Sequence, residues 1–135
     1  MSQNSPSNDL SVVLDDEGVS TDIFVNFIPD TPNNCLVSYD TSYNPSNSKY
    51  LLDEPGVQIR SRATTQTTAY NNLLEAFNIL VGKSSFVKNT TRYTGILSQT
   101  NMFSLGLDEK NRYMWAVNLR LYVEPAADGQ NRTAL

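Results

Sequence analysis

The chain contains no histidine and a single cysteine, Cys35. The first absence removes the commonest general base, the serine-protease relay and most zinc sites together. The second excludes an internal disulfide, and Cys35 sits in the apolar run Cys35-Leu36-Val37, where it reads as a small buried hydrophobe. No run approaches the roughly 18 apolar residues of a membrane helix. The start, "MSQNSPSNDLS", lacks the basic and apolar regions of a secretion signal. The expectation is a protein made and assembled in a cytoplasm, with no membrane partner. Lysine and arginine are missing from the first part of the chain: residues 1–40 hold seven of the fourteen acids and none of the ten bases. That stretch is therefore −7 and the remainder +3. Such a split suits head-to-tail association or an unlike partner, and intramolecular compensation explains it equally well.

What is present describes one globular domain. At 135 residues, 39% hydrophobic and 18% charged, the chain supports one core. Residues 1–8 and 125–135 read as flexible tails around a domain at 9–124. Leu10, Val13 and Leu14 predict a short helix starting at Ser7 or Asn8 and stopped by Gly18. Strands follow at residues 23–28 and 34–40, separated by the Pro29-Asp30-Thr31-Pro32 turn. The segment 41–56 is a long polar loop with Tyr43, Lys49 and Tyr50. It is either a surface insertion or, with Tyr39 beside it, a partner-contact loop.

In "EPGVQIRSRATTQTTAYNNLLEAFNIL" the hydrophobic period changes halfway. Val57, Ile59, Ser61 and Ala63 alternate with Gln58, Arg60, Arg62 and Thr64; then Ala69, Leu73, Ala76, Phe77 and Leu80 fall at helical spacing, up to Gly82. Two further strands, 92–97 and 102–107, precede a long one in which Trp115, Val117, Leu119, Leu121 and Val123 share a face. The order helix, three strands, helix, three strands predicts an α+β fold, with a largely antiparallel or mixed sheet packed with two helices.

The chemistry-bearing motifs have structural readings. Asp15-Asp16-Glu17 and Asp108-Glu109 lack the spacing of a calcium loop and fit a helix end and a hairpin turn. Gly82-Lys83-Ser84 imitates a phosphate loop, but Phe77 stands where that motif needs glycine, and the segment closes a helix instead of opening one. The Asn89 and Asn131 glycosylation patterns carry no weight without a secretion signal. Neither an enzyme nor a cofactor is expected. The basic strand face of Gln58, Arg60 and Arg62 is a solvated face in a monomer, and in a ring it pairs across subunits or lines a channel.

Several of these elements, in this order, resemble the minor capsid and tail-terminator (tail completion) proteins of long-tailed bacteriophages. They are the turn of Pro29, Asp30 and Pro32; then Tyr39, Asp40 and Thr41; then Pro55, Val57, Gln58, Arg60 and Arg62; and last the hairpin of Gly106, Asp108 and Arg112. The resemblance spans about residues 22–124. It departs after Thr41, where the family tends to carry glycine and this chain has "SYNPSNSKYLL". It implies a structural virion protein of the tail or neck. Such a protein would form a hexameric ring that caps the tail tube, stops its polymerisation and meets the head-tail connector, with only non-specific contact to genomic DNA in its lumen. Gln58, Arg60, Arg62 and Tyr93 would then lie at a subunit interface or the lumen, and Tyr43, Tyr50 and Phe86 would add aromatic surface to it. Two alternatives are another neck or head-completion protein, and a monomeric acidic module that docks a basic partner.

Overall fold

A computed structural model describes residues 4–42 and 53–124. Tyr43, Lys49 and Tyr50, and with them most of the expected partner-contact loop, lie outside the described residues. Two helices and a curled, mixed seven-stranded sheet make an α+β fold. In chain order the elements are α1 (Pro6–Asp16), β1 (Ile23–Val25), β2 (Cys35–Thr41), β3 (Gly56–Ala63), α2 (Gln66–Leu80), β4 (Phe86–Lys88), β5 (Thr91–Ser98), β6 (Phe103–Leu107) and β7 (Tyr113–Glu124). The sheet order is β1-β2-β3-β7-β5-β4, with β6 also paired to β7. All pairs are antiparallel except β1 with β2.

β7 organises the sheet. One edge pairs along its length with β3, from Ala63↔Tyr113 to Gly56↔Arg120. The other edge is shared: β6 takes Tyr113 to Ala116 and β5 takes Leu119 to Glu124. β5 and β6 thus run as one interrupted strand. The interruption is anchored on Asn118, whose carbonyl accepts from the backbone N–H groups of Gln99 (2.8 Å) and Thr100 (3.3 Å).

The period-two face expected of β3 and β7 is the core. Val57, Ile59, Val117, Leu119 and Leu121 are at most 1% exposed and pack with Leu10 and Leu14 of α1 and Leu73 and Leu80 of α2. α2 is capped by Thr65, whose hydroxyl accepts from the Thr68 N–H at 3.2 Å, and its buried residues are Ala69, Leu73, Ala76 and Leu80.

The structure differs from expectation in three places. α1 begins at Pro6, with Ser5 as its cap, and Ser7 is fully buried; residues 5–8 therefore belong to the domain, where a flexible tail was expected. β1 stops at Val25 because Asn26 takes a left-handed backbone (φ 60°), a conformation asparagine tolerates. A fourth strand, β4, follows α2. Its three residues are too few to show a period, and Asn89 and Thr90, both at positive φ, turn it back into β5.

Candidate functional site

On the sheet face opposite the helices, Tyr39, Gln58 and Asn118 form one row across β2, β3 and β7. The Gln58 amide donates to Asn118 Oδ1 at 2.9 Å and accepts from Arg60 Nε at 2.6 Å. The Arg60 guanidinium lies 4.9 Å from the centre of the Tyr39 ring. Burial pushes the Tyr39 phenol up, partly offset by the Arg60 charge, so it stays neutral. Arg120 repeats the arrangement over Tyr122 at 5.3 Å. The result is a half-exposed basic and aromatic strip in which Gln58 fixes the direction of Arg60, and no described carboxylate pairs with Arg60. It can contact an acidic or planar partner group without reorganising.

Arg62 does not join this strip. It is 3% exposed, and its guanidinium donates to the carbonyls of Asn33 (3.1 Å), Pro32 (2.7 Å) and Asp30 (3.4 Å). The turn at residues 30–33 folds back over the strand and takes up the charge that period-two reading assigns to an outer surface. Arg112 grips the same turn. It donates to the Asp30 carbonyl at 2.6 Å and to Asp108 Oδ2 at 2.8 Å, and sits 3.3 Å from Asp30 Oδ1. Lys110 also pairs with Asp30. Burial raises Asp108, but bonds from the Arg112 backbone and guanidinium and the Lys110 N–H outweigh it and hold the carboxyl below its usual range. Residues scattered through the sequence, Asp30, Pro32, Arg62, Asp108 and Arg112, thus converge on one clamp that shapes the fold.

Tyr93 is also displaced from the expected interface. It is fully buried, stacked on Phe86 at 5.0 Å, and its hydroxyl donates to the buried Asp9 carboxylate, which also accepts from Asn89 Nδ2 at 2.8 Å. Burial, and then the bond to Asp9, push the phenol far above its usual range. It offers no surface to a neighbour. Cys35 is likewise fully buried, its thiol pushed up by burial. Among the described residues no group of three or more His, Cys, Asp or Glu is placed to hold a metal.

The charge split is partly neutralised within the molecule. Asp16 pairs with Lys88 at 2.7 Å, and Asp30 with Lys110 and Arg112. Sequence reasoning missed the exposed apolar side chains Phe27, Tyr70, Val87, Leu97, Leu105 and Leu107; all but Val87 lie in or beside predicted strands and helices, where apolar residues read as core. Leu105 and Gly106 at the β6 bulge break the alternation, the one local signal available.

Residues 13–125, spanning every strand and α2, match the family described as bacteriophage tail terminator protein. The chain belongs to this family. A chain from the virion of a native gene transfer agent particle shares the fold, with a TM-score of 0.71 and 13% identity over 90% of this chain and 96% of that one. Among curated proteins, none matches. Tail terminator membership makes this a structural protein of the phage virion, associated there with other tail or head components. No helix among the described residues is long and apolar enough to cross a membrane.

Proposed function

We propose that the chain forms a hexameric ring that caps the finished tail tube, stops its polymerisation and joins it to the head-tail connector in the neck. The observation that carries the reading is the family match over residues 13–125, joined by a fold shared along nearly the whole chain with a virion component. The oriented strip of Gln58 and Arg60, with Tyr39 beside it, is assigned to a subunit contact or to the lumen, where a ring repeats each positive charge and brings it toward passing DNA. Arg62 and Tyr93 have no part in that surface.

The test is the mass of the protein by light scattering across concentration, alone and with purified tail tubes, with electron microscopy of any assembled species. A six-membered ring supports the proposal; a monomer under both conditions overturns it. Phage lacking the protein are expected to make tails of uncontrolled length, and tails of normal length would remove the terminating role.

A further inference from the structure

Two apolar patches of different make-up lie toward opposite ends of β7. The first is β6, whose Leu105 is 41% and Leu107 52% exposed. The strand hydrogen-bonds to β7 on one side, and no described strand pairs with its other edge. Beside it Tyr70, 37% exposed, meets the half-buried Trp115 ring edge-on at 5.0 Å. An open strand edge carrying leucines invites another chain.

The second patch is a groove of about 290 Å³ at the bulge of β5, floored by Gly95, Leu97 and Tyr122 and rimmed by Lys83. It is open because residue 95 has no side chain: a Cβ there would meet nothing closer than Tyr122 Cδ2 at 3.8 Å. From Trp115, beside the first patch, to Tyr122 is roughly 24 Å along the strand at about 3.4 Å per residue.

The rims carry opposite charge. Glu109, on the turn that follows β6, and Lys83, at the groove, are not ion-paired among the described residues. Lys83 instead lies 5.4 Å over the Phe86 ring. A knob and a groove at different places on one chain, with complementary rims, are the requirements of a heterologous contact.

Building on the ring reading, we propose that the β6 leucines of one copy seat in the β5 groove of the next, Glu109 of the first facing Lys83 of the second. This contact is the seam of the ring. It buries the exposed leucines and covers the open edge of β6.

Three sets of full-length variants test it: Leu105→Asp with Leu107→Asp, which removes the knob; Gly95→Leu, which fills the groove; and Lys83→Glu and Glu109→Lys, singly and together. Assembly is followed by light scattering, alone and on tail tubes, with thermal unfolding as the check on folding. The knob and groove variants are expected to fold and remain monomeric. Each single charge reversal is expected to weaken assembly about tenfold, and the double reversal to restore it. A wild-type ring that persists unchanged in the knob and groove variants overturns the seam while leaving the ring reading intact. So does a double reversal no better than the singles, which keeps the test decisive if Gly95→Leu fails to fold. A wild type that never assembles, even on tail tubes, overturns the ring reading itself.

Discussion

Arg60 and Arg62 stand two positions apart on β3, on the same side of the pleat, and do different work. Arg62 satisfies three carbonyls of the 30–33 turn from a nearly dry position. Arg62→Met is therefore expected to cost about 1.5–3 kcal/mol in urea unfolding, the range for hydrogen bonds to a charged group. Arg60 is half-exposed, and Arg60→Glu is expected to change stability by less than about 0.5 kcal/mol while impairing assembly or infectivity. Wild-type titre and tail length in that variant would remove the assembly role. Tyr93→Phe withdraws a donor from the buried Asp9 carboxylate and is expected to cost about 1–3 kcal/mol by the same unfolding measurement. None of these distinctions is legible locally. A period of two assigns side chains to faces, but the turn that buries Arg62 comes from some thirty residues earlier, and the acid that engages Tyr93 is 84 positions away.

The long elements were legible because their patterns outlast their ends. α2, β3 and β7 each carry at least four inward residues at the right period, and the structure buries most of them. β1 and β4 have three residues each, and left-handed turn residues, Asn26 after one and Asn89 and Thr90 after the other, decide their limits. Side chains join these elements where the backbone does not. Asp40 on β2 accepts from the Ser7 N–H (2.9 Å) and hydroxyl (2.7 Å) at the start of α1 and from Asn26 Nδ2 (2.8 Å) just past β1. Burial raises its pKa, but these bonds outweigh burial and leave the carboxyl below its ordinary value of 3.8. A depressed folded value means the stabilisation is present above 3.8 and lost as pH falls through the folded value. Asp108 follows the same sign in the β6–β7 turn. Acid titration of unfolding should therefore show stability falling below this point, with a shallower fall in Asp40→Asn. An unchanged slope would separate Asp40 from the acid response.

For the molecule as a whole, the imbalance between an acidic first part and a basic remainder is reduced where Asp16 and Asp30 reach across the chain to Lys88, Lys110 and Arg112. A ring held by leucines in a groove, with one ion pair per seam, should keep its mass between roughly 0.1 M and 1 M salt, where the screening length shrinks from about 10 to 3 Å. A steep loss of mass would instead favour electrostatic docking of the acidic part. The strand that joins β3 to both β5 and β6 is the last described strand in chain order, so while the ribosome has yet to release it, no nascent chain that lacks it holds the continuous sheet or a complete core. Prematurely terminated copies would then lack a surface with which to enter an assembly, and only finished chains would compete for a place in the virion.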